Sequence, residues 1–220
     1  IDLIEKYQSQ FGARSSKQAT SFEPNAPSFR KFRYEFMMAY WMKYEASLVH
    51  LSKNWYEFTQ KITNYGCFCF NEQTTTNGKG SARDLIDQTC KNLHKCQTCI
   101  DMDIMNGDLQ PNVDGTCSPY SLYSFNLTRI DKKPHIECLN LENTCQRALC
   151  ECDKKFASEL ALNYDTWNPT LKGKNAFDRD SQCTSVGMAH MGAVDTCCGE
   201  YPNRFPFHGQ EGMKQCCGTK

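Results

Sequence analysis

Tyr65-Gly66-Cys67-Phe68-Cys69 is followed by Asp84-x-x-Asp87-x-x-Cys90-x5-Cys96 and, well downstream, by Cys138-x6-Cys145-x4-Cys150-x-Cys152-Asp153. The first of these stretches is a cysteine-rich loop. The second falls on a helix expected over 82–100, and the third on a helix expected over 141–163. Fifteen cysteines in 220 residues, clustered from Cys67 onward, read as a disulfide framework and so as an oxidising, extracellular setting. Zinc is the competing use for a pair such as Cys96-x-x-Cys99. The five histidines, His50, His94, His135, His190 and His208, never stand at finger-like spacing from a cysteine pair, which argues against it. An odd count leaves one thiol free, joined to another chain, or bonded outside this stretch.

Upstream of the loop, 13–28 is polar, holds two prolines and shows no apolar periodicity, so 1–28 reads as a flexible arm. Ser28 suits an N-cap, and from there to Asn64 neither Pro nor Gly occurs. Tyr34, Met37, Trp41, Tyr44, Leu48, Leu51, Trp55, Phe58 and Ile62 recur at alternating steps of three and four. That predicts an amphipathic helix over 29–64, about nine turns long, with Gly66 just beyond it to close it in a left-handed conformation. The seam is either the core face of this helix against its own domain or a contact with a helix of a second copy. Phe32, Phe36, Met38 and Tyr40 add apolar bulk beyond one stripe, which speaks for the partner.

Downstream of the second helix, 101–115 reads as loop and 120–136 as a two-stranded hairpin turning near Asp131-Lys132-Lys133. From Trp167 onward Gly, Asn, Pro and paired cysteines dominate and no periodicity survives, so 165–220 is expected to be a separate cysteine-rich module. It is either a cap stapled to the preceding domain, for instance through Cys67, or an assembly contact made by the aromatic-proline run 201–207 and the odd thiol. Charge adds little: 25 basic residues balance 25 acidic ones, with net +2 over 1–60 and −2 over 61–160, totals that do not point to a nucleic-acid-binding stripe. No apolar run approaches the roughly 18 residues that span a bilayer. Any secretory leader is expected to have been removed before Ile1 or left out.

The three opening stretches resemble secreted phospholipase A2, whose pattern runs Tyr-Gly-Cys-Tyr-Cys, then Asp-x-x-Asp before a cysteine-bearing helix, then Cys-x-Cys-Asp on an antiparallel helix. Cys117-Ser118-Pro119-Tyr120-x-x-Tyr123 is similar to the approach to the family's β-wing. The resemblance covers about 60–163. It implies a mainly α, disulfide-rich fold, a pair of antiparallel disulfide-linked helices with a small two-stranded β-wing, here preceded by the long amphipathic helix. The resulting division is 1–28, 29–64, 65–164 and 165–220. The resemblance also implies the bonds Cys69–Cys90, Cys96–Cys152, Cys117–Cys145 and Cys138–Cys150. One family bridge is absent at both ends, at Thr89 and Glu159. The pairing of Cys67, Cys99, Cys183, Cys197, Cys198, Cys216 and Cys217 stays open.

Catalytic residues are where the chain departs from that family. Its histidine, three residues after the helix cysteine, falls at Leu93, and the calcium-binding aspartate that follows falls at His94; Asp153 is retained. His94 cannot stand in for Leu93, because one residue along a helix rotates a side chain by about 100° and shifts it by about 1.5 Å. Asp153, without its imidazole, is expected to be a helix polar residue paired with a lysine or a backbone donor. The family's glycine-rich calcium turn is replaced by Phe70-Asn71-Glu72-Gln73-Thr74-Thr75-Thr76. No metal or other cofactor is therefore expected, since a hard cation needs loop carbonyls and a facing carboxylate. Asp101-x-Asp103-x-x-Asn106-Gly107-Asp108 resembles a calcium loop, but its Asn-Gly is one place late and Asn112 stands where an EF-hand has glutamate. Asn126-Leu127-Thr128 is an N-glycosylation sequon on the hairpin; Asn143-Thr144-Cys145 fits only the rare cysteine form.

The expected function is that of a secreted, catalytically inactive phospholipase A2-like protein in an extracellular matrix or fibre, with the otoconins as analogy. Its expected partner is a second copy or another extracellular protein. The rivals are a calcium-dependent lipase with an atypical site built on His94 and Asp153, and a non-catalytic membrane- or receptor-binding homologue. The −2 balance of 61–160 disfavours membrane attack, which usually uses a cationic face.

Overall fold

Asp84, in extended conformation, accepts the backbone N–H of Asp87 at 2.8 Å and so caps helix α1, Leu85–Asn106. The computed structural model describes residues 61–69, 78–113, 115, 117, 121, 123–131, 133–173, 176–184, 194–209 and 216. The expected arm 1–28 and the seam residues from Tyr34 to Phe58 lie outside these. Helix α1 ends where Gly107, at φ +79°, turns left-handed and returns its N–H to the carbonyls of Asp103 and Ile104. It therefore runs to Asn106, not to residue 100, and 101–106 is helix where loop was expected. No glycine or proline interrupts those residues, and the breaker is Gly107. The resemblance to a calcium loop from Asp101 falls with it, because a helical backbone spends its carbonyls on its own N–H groups.

Helix α2, Cys145–Leu162, starts four residues later than expected. Asn143 sits at φ +59° in the preceding turn, and the Thr144 side chain accepts from the Arg147 N–H at 3.3 Å. Both helices bury residues at three- and four-residue steps: Ile86, Cys90, Leu93 and Ile100 on α1, Leu149, Phe156 and Leu160 on α2. Cys96 is bonded to Cys152, while Asn163, just past α2, donates to Thr89 Oγ1 near the start of α1 at 3.5 Å. The two helices thus run in opposite directions. Strand β1, Phe125–Ile130, pairs antiparallel with β2, Lys133–Cys138, about a turn in which Asp131 has φ +51°. Ile136 and Cys138 face the core, and Cys138–Cys150 ties the hairpin to α2.

Beyond α2, Tyr164–Thr166 and Pro169–Leu171 form single 3-10 turns and Arg179–Gln182 forms a one-turn helix, α3. Strands β3, Val194–Cys198, and β4, Phe205–Gly209, then make a second antiparallel hairpin. This hairpin lies in the segment where no periodicity could be read in the sequence. Strands of five residues that carry a cysteine pair opposite Pro206 have no hydrophobic alternation to read.

Cys69–Cys90, Cys96–Cys152, Cys117–Cys145 and Cys138–Cys150 are bonded, as are Cys67–Cys183, Cys99–Cys197 and Cys198–Cys216. Each contributes about 2–4 kcal/mol by restricting the unfolded chain. Two of them, from Cys67 and Cys99, staple the C-terminal segment onto the 65–69 turn and onto α1, and Phe177 and Cys183 lie in the same core cluster as Ile86 and Phe156. These seven bonds use 14 of the 15 cysteines, and Cys217 lies outside the described residues. Ile62, the last residue of the expected seam, is helical and 1% exposed within this same core. At that end the seam packs internally and offers nothing to a partner. Asn64, at φ +57°, is the first left-handed residue after it, ahead of Gly66.

Candidate functional site

The turn 65–69 is built on one buried carboxylate. Asp87, fully buried on α1, accepts the backbone N–H groups of Cys67 (2.9 Å), Phe68 (2.7 Å) and Arg83 (2.9 Å). Gly66 is required here, since at φ +55° a Cβ would lie 2.3 Å from the Asp87 carboxyl carbon. Tyr65 is buried, donates its hydroxyl to Asp84 and accepts the Asn168 N–H at 3.0 Å. Burial, and then the bond to Asp84, push its phenol well above the usual range.

The carbonyls of this turn are turned onto the chain's own donors. Arg179 on α3 donates from Nε to Gly66 O at 2.6 Å and from Nη2 to Tyr65 O and Cys69 O at 3.0 and 2.7 Å. His94 Nε2 lies 2.8 Å from Phe68 O. A carbonyl only accepts, so Nε2 carries the proton. Sequence reasoning missed Arg179 because it lies 113 residues from Gly66 and no motif surrounds it.

The three residues expected at the family's catalytic positions have separate surroundings. Leu93 is 5% exposed and lines a cleft between α1 and α2 with Cys96, Cys152 and Phe156; its free space of about 10 Å³ is that of one water molecule. Thr89 and Glu159, the positions of the absent bridge, face the same cleft. Asp153 is fully buried and accepts the Tyr123 hydroxyl at 2.7 Å. This partner is a phenol, which the expectation of a lysine or a backbone donor did not include. The family's calcium does not fit the described residues. The ion takes six to eight oxygen ligands, yet the Phe68 carbonyl is occupied by an imidazole N–H, and the Tyr65, Gly66 and Cys69 carbonyls by a guanidinium. Among the described residues no group of three His, Cys, Asp or Glu side chains is placed to hold a metal. Residues 70–76, the replaced calcium turn, lie outside them.

A second polar centre joins β3 and β4 to α1. Arg204 makes a two-pronged pair with the buried Asp103, Nε to Oδ2 at 2.6 Å and Nη2 to Oδ1 at 2.8 Å, and donates from Nη1 to Gly199 O at 2.7 Å. Tyr201 adds its hydroxyl to Asp103 Oδ2 at 2.7 Å. The bond to Asp103 holds the guanidinium above its ordinary pKa, and burial raises the Tyr201 phenol. Asn126 on β1 is exposed.

No family model matches the chain. Individual relatives do. Phospholipase A2 homolog 1 of Bothrops atrox is 34% identical over 130 residues, 58% of this chain and 80% of the relative. Group IID secretory phospholipase A2 of Mus musculus is 28% identical over 118 residues, 50% of this chain and 68% of the relative. Phospholipase A2 homolog otoconin-22 of Xenopus laevis is 27% identical over 108 residues, 49% of this chain and 69% of the relative. Proteins named as phospholipases and proteins named as homologues of them thus both lie close in sequence. With four fifths of a relative covered at 34% identity, and helices, β-hairpin and disulfides arranged as described, the chain belongs to the phospholipase A2 family.

Proposed function

We propose that the chain is a secreted, non-catalytic member of the family that serves as a structural or assembly component outside the cell. The observation that carries this is the state of the catalytic positions. Leu93 has no proton to exchange, and the His94 imidazole, one helix position away, is bonded to the Phe68 carbonyl. A general base must reach the water it activates, and this ring is held elsewhere. Asp153, which in the family orients the histidine, is bonded to Tyr123. The disulfide content and the relatives named secretory support an extracellular location.

The assembly role rests on three features. Cys217 is left over when the seven bonds are counted, the aromatic seam from Tyr34 to Phe58 extends over an expected helix 29–64 preceding the expected domain 65–164, and 165–220 holds the aromatic-proline run 201–207. A second copy of the chain is the partner these features suit. Two measurements test the proposal. Phospholipid vesicles with calcium are expected to stay unhydrolysed, and hydrolysis abolished by a chelator would overturn the non-catalytic part. Light scattering on the non-reduced protein is expected to give an oligomer; a monomer would overturn the assembly part, and pelleting with vesicles would put a membrane-binding homologue in its place.

A further inference from the structure

The hairpin β1–β2 has one face in the core and one away from it. Ile136 and Cys138 are 2% and 4% exposed, and Phe125 packs against the same cluster. Successive side chains of a strand point to opposite faces. Asn126 and its register partner Glu137 therefore point outward, and both are exposed. Thr128, two residues on and opposite His135, shares that outward face. The amide and hydroxyl of Asn126-Leu127-Thr128 are thus presented together on the solvent side of a strand.

Two similar triplets in the chain are built differently. Asn168-Pro169-Thr170 has proline in the middle, and the Asn168 side chain already accepts from the Thr170 N–H at 3.0 Å and hydroxyl at 2.8 Å. Asn143-Thr144-Cys145 ends in a buried cysteine bonded to Cys117, its threonine caps α2, and the Asn143 carbonyl accepts the Gln110 N–H at 2.8 Å. Both are committed to the fold, whereas Asn126 is exposed.

We propose that Asn126 carries an N-linked glycan that covers the outward face of this hairpin. The inference rests on the secretory location proposed above. The donor is an oligosaccharide on a polyprenyl pyrophosphate. Asn126 Nδ2 forms a bond to the anomeric carbon, the carbon–oxygen bond to the pyrophosphate breaks, the leaving polyprenyl pyrophosphate takes the electron pair, and the amide gives up one proton. Among the described residues this sheet has two strands, so each strand has an unpaired edge. A bulky, hydrated chain beside such an edge blocks strand-to-strand pairing with another molecule. Contacts between copies are then made on other surfaces.

The test is the intact mass of the full chain, passed through the secretory pathway of a eukaryotic cell, before and after peptide N-glycosidase. The expected result is loss of one glycan, with residue 126 recovered as aspartate. N126Q and T128A are expected to lack the shift, while T128S and N143Q keep it. A secreted, disulfide-bonded chain with no shift overturns the glycan and leaves the location standing. So does a shift that survives N126Q. A chain retained in the cytosol with reduced thiols overturns both. If T128A fails to be secreted, loss of the shift in secreted N126Q and its retention in T128S still decide the site.

Discussion

Replacing Arg179 by methionine keeps most of the aliphatic stem and removes the fork that holds the turn 65–69. Three hydrogen bonds disappear, at 2.6, 3.0 and 2.7 Å, to the carbonyls of Gly66, Tyr65 and Cys69. Bonds from a charged donor are worth about 1.5–3 kcal/mol each, which sets an upper figure of about 5–9 kcal/mol. Two effects reduce it. Burial works against the guanidinium's charge, so its removal recovers part of that penalty, although the nearby Asp87 carboxylate favours the cation. The site is also only half-buried, so water reaches some of the released carbonyls. Counting about 1 kcal/mol per bond leaves a loss of about 3 kcal/mol. At about 2–4 °C per kcal/mol for a chain of this size, the melting midpoint falls by about 6–12 °C. Circular dichroism of the non-reduced protein reads this directly. Arg179→Lys is expected to fall between the two, since one ammonium cannot bridge three carbonyls. A midpoint for Arg179→Met within about 2 °C of the parent, under about 1 kcal/mol, would refute the claim that this side chain holds the turn.

Because those carbonyls and that of Phe68 face donors within the chain, calcium or a chelator is expected to leave the melting midpoint unchanged; a rise with calcium would show a metal site in the turn. Arg204→Met leaves Asp103 buried without its cation and is expected to cost about 3–5 kcal/mol, with faster hydrogen exchange at the C-terminal end of α1. Changing both residues to apolar ones is expected to recover most of that stability. Tyr65 and Tyr201 have phenols raised above the unfolded value, first by burial and then by bonds to Asp84 and Asp103. Their contribution is fully present below about pH 10 and is lost as the pH climbs toward the folded-state values. Tyrosinate absorbance should therefore show these two of the 10 tyrosines ionising only as the chain unfolds in alkali. Thr89→Cys with Glu159→Cys, which share the cleft of Leu93, is expected to restore the absent helix-to-helix bridge, seen as the loss of both added thiols in a thiol titration.

What could be read along the chain was whatever is local or carries a fixed spacing. Gly66 as a left-handed residue could be read from its neighbours, whereas the helix expected from residue 82 starts at Leu85 behind its Asp84 cap. The cysteine register carried the family, and with it Leu93, His94 and Asp153 as the positions to inspect. Errors arose where a local cue was ambiguous. Residues 101–106, expected as loop, are helix up to Asn106, with no glycine or proline before Gly107 and with Asp103 paired to Arg204, 101 residues away. The hairpin of β3 and β4 left no periodicity, since five-residue strands with cysteines and Pro206 owe their pairing to Cys99–Cys197 and to the packing on α1 rather than to a hydrophobic alternation.

Sequence by itself pointed to the disulfide-rich family, to helices where α1 and α2 lie and to the β1–β2 hairpin, and it led to the expectation that Leu93 and His94 stand at the family's histidine and aspartate positions. Spacing on a helix or between cysteines is a one-dimensional property, and a change of residue type at a registered position needs no coordinates to be seen. Tertiary structure alone decided what fills the space that change left: His94 on the Phe68 carbonyl, Tyr123 on Asp153, and Arg179 across three carbonyls of the 65–69 turn. Those partners are drawn from segments 26 to 114 residues apart. Nothing in the order of the chain marks them, because a buried carbonyl or carboxylate is satisfied by whichever donor the packed core brings within about 3 Å.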